Sequence, residues 1–185
     1  GCWRFLGMWR CPPMRSLMYS ASASDEYKSQ EVGGLAHQLA AHMDFATPGD
    51  IDRVARFWQT DNIAQRKGLT AVELFDNVAS GQIKAIWIMG TNPIVSMPNA
   101  NKVRQALHQC EFVVVSDCIL NQDTCAEANV LLPAAGWSEK DGTVTNSERR
   151  ISRQRALFPC AGESKPDWWI ITQVAKAMGF AKAFP

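Results

Sequence analysis

Four polar groups in this chain each follow an apolar run or open a helix, and each has the chemistry of one nucleotide contact. Gly90-Thr91-Asn92-Pro93 follows KAIWIM; its glycine allows close backbone approach, while Thr91 and Asn92 offer a hydroxyl and an amide to a phosphate or ribose. Ser116 and Asp117 end EFVVVSD, where a hydroxyl and a carboxylate suit ribose hydroxyls. Glu139-Lys140-Asp141-Gly142 sets a lysine between two acids, so that Lys140 can bring a point charge to a pyrophosphate while the loop stays near neutral. Asp167 follows Pro166 at the head of a helix, where its carboxylate can accept from the N1 and N2 edge of guanine.

Each group also has a plain structural alternative. The Gly90 tetrapeptide can be an ordinary strand-to-helix turn, Asp117 can cap the turn that follows it, and Asp167 can be a helix-dipole partner. Taken alone, the Lys140 tetrapeptide is a weak signal. What joins the four is position, because parallel sheets bind ligands beyond the carboxyl ends of their strands.

The elements that must position them follow from periodicity. KAIWIMG (84–90), EFVVVSD (111–117) and NVLLP (129–133) are short apolar runs of strand length, and a helix over 101–109 joins the first two. A strand, crossover helix and strand of this length make a right-handed βαβ unit. The fold class is therefore α/β, a Rossmann-like doubly wound and mostly parallel sheet with flanking helices, its first strand covered on both faces.

Three helices are expected before the sheet. Leu35, Leu39 and Met43 repeat at intervals of four, and Ile51, Val54, Ala55 and Trp58 share one face of a helix over 51–59 entered through Asp50 as N-cap. Thr70 caps a third over 71–78, with Glu73 as its capping-box partner and Gly81 as its stop. After Pro133 the texture favours a long functional loop with short extended pieces. A last helix over 166–178 begins at Pro166, ends at Gly179 and buries Trp169, Ile170, Val174 and Met178.

Composition narrows the function classes. The chain has 185 residues, 46% hydrophobic and 20% charged, with a net charge of +1, so it suits one domain and carries no broad bias toward nucleic acid or acidic membranes. No apolar run approaches the roughly 18 residues of a membrane span, which makes a cytoplasmic protein the default. Arg149, Arg150, Arg153 and Arg155 cluster, but no aromatic residues interleave them; a solvated loop or a cofactor-phosphate contact fits better than nucleic acid. The six cysteines form no CxxC pair, and Cys110 and Cys118 read as small core or near-core residues. His37 and His42 face different sides of a helix, and His108 is read as a satisfied surface residue, so no metal site is expected. There is no GxGxxG, Walker A or nucleophile-elbow sequence.

Read together, IWIMGTNP, FVVVSD, ANVLLPAAGWSEKDGTVTNSERRISRQRA and ESKPDWWIITQVAKAMGF resemble the third domain of the molybdopterin oxidoreductases of the dimethyl sulfoxide reductase family. EVGGLAHQLAAHMDF and GTVTNSERRISRQRA are most similar to the assimilatory nitrate reductase branch, and the match runs in order from Glu31 to Phe180. The resemblance implies that residues 31–185 bind one guanosine arm of a bis(molybdopterin guanine dinucleotide) molybdenum cofactor. It carries this role to Asn92, Ser116, Asp117, Lys140 and Asp167: Asp167 for the base, Ser116 and Asp117 for ribose or base edges, Asn92 and Lys140 for the sugar-phosphate region.

In that family the complete enzyme moves an oxygen atom from nitrate while an iron–sulfur cluster feeds electrons. The resemblance finds here no iron–sulfur cysteine cluster, no protein ligand to molybdenum and no domain for the second pterin arm. The expectation is thus a partial enzyme, inactive alone, whose partners are the cofactor and the remaining domains of its parent, with no catalytic residue to name. Residues 1–30 fail to match and read as a poorly ordered, foreign or frame-shifted leader. A stand-alone non-catalytic module or truncated remnant, and a formate dehydrogenase-like member of the family, are the competing readings.

Overall fold

Apolar runs of strand length, joined by crossovers, must pair side by side, and they do so here in chain order. The computed structural model describes Leu39, residues 43–145, Glu148 and residues 150–183. Strands β1 (Ala85–Met89), β2 (Phe112–Asp117) and β3 (Val130–Pro133) form a parallel sheet in the order β1-β2-β3. The register sets Met89 opposite Ser116 and Asp117 opposite Pro133, so the three carboxyl ends are level with one another.

Successive neighbours joined by crossovers of one hand carry their helices on one face. That face shows Ile86, Ile88, Val113 and Val115, packed with Leu74, Phe75 and Val78 of α1's successor α2 (Ala71–Ala79); α1 itself spans Asp50–Trp58. The same core takes Ile94 of α3 (Pro93–Ser96), Val103, Ala106 and Leu107 of α4 (Ala100–Gln109), and Cys125 of α5 (Asp123–Ala126). Each fully buried Val or Leu there contributes about 1.5–3 kcal/mol through water exclusion. Arg104 of α4 pairs with Asp123 of α5 at 2.7 Å, an exposed tie beside the core.

Local chemistry explains the helix ends. Thr70 N–H and Oγ1–H donate to Glu73 Oε2 at 2.9 and 2.8 Å, the expected capping box, and Gly81 turns the chain out with φ +73°. Asp50 is not the cap of α1 but its first residue; Gly49 caps at φ +83°, and the buried Asp50 carboxylate accepts from Asp44 N–H and pairs with Arg53 at 3.2 Å. Trp58 of the expected apolar face is 56% exposed, while Val54 is buried. Leu39 is buried and Met43 half-buried, but neither is helical, and the rest of that stretch, with His37 and His42, lies outside the described residues, as do residues 1–30.

Three other expectations change. The second face of β1 bears Trp87 and Met89, which stay half-buried: an apolar run cannot tell one packed face from two. Cys110 is buried but Cys118 is exposed, because β2 ends one residue before it. The last helix, α6 (Asp167–Ala175), gives way to a looser turn over Lys176–Phe180 with Gly179 at φ +95°; Ile170 is buried and Met178 is 39% exposed. The loop after β3 is, as expected, extended in pieces: the hairpin β4 (Gly142–Thr145) and β5 (Ile151–Gln154).

On the second face of the sheet the Trp87 indole N–H donates to Ser116 Oγ at 2.7 Å, bridging β1 and β2. Removing the acceptor leaves an indole donor unpaired, at a cost of about 1–3 kcal/mol. A double-mutant cycle of Ser116→Ala and Trp87→Phe, read from urea midpoints, should give a coupling of at least about 0.5 kcal/mol; simple additivity would contradict the bond.

Candidate nucleotide-binding crevice

The carboxyl edge of the sheet is wider than its three strands. Gly90 N–H donates to Ser116 O at 2.9 Å and Ala134 N–H to Asp117 O at 3.0 Å, so pairing continues past the strand ends. Beyond β3, Lys165 N–H donates to Pro133 O at 3.0 Å and Ala135 N–H to Lys165 O at 2.9 Å, a parallel bridge that adds the segment before α6 as a fourth member. Three steps between neighbouring strands of about 4.8 Å make an edge roughly 14 Å wide. Along it stand, in order, Asn92, Asp117, then Lys140 and Asp167.

At the β1 end, Gly90 has φ +60°, which disfavours any residue with a Cβ, and the space where that Cβ would stand is open. Asn92 is half-buried at the head of α3, and its Oδ1 accepts from the Thr124 hydroxyl at 2.6 Å. At the β2 end, Asp117 is buried and its Oδ1 accepts from Ile119 N–H at 3.0 Å, the turn-capping role considered for it. Burial pushes the Cys118 thiol up from its ordinary pKa, the charge and hydrogen bond of Asp117 push it further, and the Lys140 ammonium partly opposes them. Asp117 and Lys140 therefore act on one thiol and share one neighbourhood.

Lys140 Nζ lies 2.8 Å from Asp167 Oδ2, with the two side chains 27% and 40% exposed. The acids flanking Lys140 in sequence are used elsewhere. Glu139 Oε2 accepts from Gly136 N–H at 2.8 Å, and Asp141 pairs with Arg153 at 3.6 Å. Asp167 opens α6, so it is also the dipole partner considered for it.

Ser116 stands apart from the other four. It is 2% exposed, and its hydroxyl is taken by Trp87 on the second face of the sheet, so it braces the edge from below. Thr124 and the Lys165 bridge were not visible in the sequence. Thr124 sits in a short polar stretch with no period, and a bridge made by backbone atoms leaves no side-chain signature. Arg153 and Arg155 are on the exposed hairpin side, and Arg149 lies outside the described residues.

A groove of about 410 Å³ lined by Asp52, Arg56, Gln59, Thr60 and Asp61 belongs to α1 and the turn after it. None of its residues comes from a strand end. Among the described residues no three His, Cys, Asp or Glu side chains cluster as metal ligands would, and no helix is long and apolar enough to cross a membrane.

Comparison with known proteins gives the family. The sequence model of the family described as "Molybdopterin oxidoreductase" matches residues 20–177. The nitrate reductase of Shewanella frigidimarina is 61% identical over 151 residues, 82% of this chain and 16% of that protein. That of Klebsiella oxytoca is 55% identical over 155 residues, 84% of this chain and 18% of that protein. An F420-dependent formate dehydrogenase subunit alpha of Methanocaldococcus jannaschii is 43% identical over 128 residues, 69% of this chain and 19% of its own length. The chain thus spans less than a fifth of the length of these relatives. The structure of acetylene hydratase from Pelobacter acetylenicus shares the fold, with a TM-score of 0.56 at 22% identity, over 85% of this chain and 19% of the other. With a parallel edge of polar tips and a family match across most of its length, the chain belongs to the molybdopterin oxidoreductases.

Proposed function

We propose that residues 31–185 form the domain that holds one guanosine arm of the molybdenum cofactor in a nitrate reductase, the cofactor being a bis(molybdopterin guanine dinucleotide). The observation that carries this reading is the four-membered parallel edge, along which polar groups follow one another in the order an extended nucleotide needs them. When bound, the cofactor supplies the molybdenum chemistry and the protein supplies position and electrostatics. In the parent enzyme that chemistry reduces nitrate to nitrite, with electrons from an iron–sulfur cluster held elsewhere. No residue described here is assigned to the chemical step.

The donor set fits a guanosine arm. Asp167 presents a partly exposed carboxylate, an acceptor pair for the N1–H and N2–H of guanine. Lys140, whose ammonium is 2.8 Å from that carboxylate, is too close to it to serve the far end of the same nucleotide. It belongs at the base, donating to O6, which neighbours N1 on the guanine edge. This moves Lys140 from the sugar-phosphate region to the base. Asp117 then faces the ribose, and the open space at Gly90 with the Asn92 amide receives the phosphates.

A formate dehydrogenase reading of the parent keeps the same arm and the same crevice, and the similarity to the Methanocaldococcus subunit favours it. Higher identity over more of the chain weighs toward nitrate. The choice turns on parts of the parent that meet the substrate.

Titration of the chain with GDP, ADP and xanthosine diphosphate tests the base assignment. The wild type should prefer GDP. Asp167→Asn should weaken GDP about tenfold or more and shift preference toward the xanthine nucleotide, whose C2 bears an oxygen. Lys140→Met should narrow the preference for GDP over ADP. Equal binding of all three nucleotides by the wild type and both variants would remove the assignment.

A further inference from the structure

Thr124 is in the first turn of α5, on the crossover between β2 and β3, and none of it reaches solvent. Its hydroxyl makes two hydrogen bonds, both to the chain just beyond β1. Ile94 N–H donates to Oγ1 at 3.4 Å, and the hydroxyl donates to Asn92 Oδ1 at 2.6 Å. The direction of the second bond follows from the first. With a backbone N–H already supplied to it, the buried hydroxyl needs an acceptor for its own proton, and a buried donor left unmade is costly. The amide oxygen of Asn92 is that acceptor, and an amide flipped the other way would leave the buried hydroxyl proton without one.

The consequence falls on Asn92. Asn92 is only half-buried, and with its oxygen taken by Thr124 the other end of the amide makes no hydrogen bond to the described residues. That end is the NH₂ group, with two donors and no acceptor. Such a group suits phosphate or ribose oxygens, whereas an outward carbonyl oxygen would repel an anion. Taking the guanosine-arm reading as its premise, we infer that Thr124 is a positioning residue: by holding Asn92 Oδ1 inward it turns the Asn92 NH₂ toward the phosphates of the ligand. A bond across 32 residues between two crossovers also ties the fold, so the test must separate orientation from support.

Thr124→Val keeps the shape and removes the hydroxyl, while Thr124→Ser keeps the hydroxyl. Each is made in the 185-residue chain and titrated with GDP and with guanosine. The Asn92 side-chain NH₂ signals are followed by ¹⁵N NMR before any nucleotide is added. The valine variant should bind GDP about tenfold more weakly, hold guanosine within about twofold and shift the Asn92 signals; serine should restore all three. Equal loss of GDP and guanosine, unchanged GDP binding or unmoved Asn92 signals would overturn the inference while leaving the guanosine-arm reading in place. If the wild type binds neither ligand, that reading falls and the inference with it. Should the valine variant fail to fold, Asn92→Asp serves instead. It retains an oxygen for Thr124 and places the other outward, and should cost GDP far more than guanosine; equal loss would again overturn the inference.

Discussion

Everything at the candidate site hangs on parallel backbone pairing that continues beyond the strands. Gly90 to Ser116, Ala134 to Asp117 and Lys165 to Pro133 are main-chain bonds, and they hold four chain segments level at one edge. None of the polar side chains there sets its own position. Asn92 and Asp117 are carried to the edge because Ile86, Ile88, Val113 and Val115 have buried their side of the sheet under the helices, and Asp167 is carried there by the Lys165 bridge to β3. The core fixes the edge, and the edge fixes the chemistry.

Within that edge, accessible charge and buried support are divided between residues. Lys140 and Asp167 remain partly exposed and neutralise one another, so neither leaves an uncompensated charge. Ser116 and Thr124 are hidden, and each hydrogen bonds to a neighbour on another segment, Trp87 in one case and Asn92 in the other. Buried hydroxyls of this kind must be satisfied, and satisfying them ties one chain segment to another.

How far the sequence could foretell this depended on what made each signal. The three strands, the capping box at Thr70 and Glu73, and the helix after Asn99 were legible because periodicity and capping are local. So was the placement of Asn92 and Asp117 at the carboxyl ends of β1 and β2, since the apolar runs stop just before them. The pairing of Lys140 with Asp167 was not, because 27 residues and a hairpin separate them and each has nearer partners of opposite charge or a helix dipole to explain it. Ser116 was read as a ligand contact for its position; the side to which it points depends on strand register, and register puts it under Trp87's indole. Thr124 carried no sequence signal, being one polar residue in a turn.

The central claim is that these tips make one crevice for one nucleotide arm. A ¹H–¹⁵N titration of the chain with GDP tests it most directly. The backbone signals of Gly90 to Asn92, Asp117 and Cys118, Lys140, and Asp167 should move together with a single binding constant. Shifts confined to the α1 groove around Asp52 and Arg56, or strand-end signals that move with unrelated constants, would contradict it.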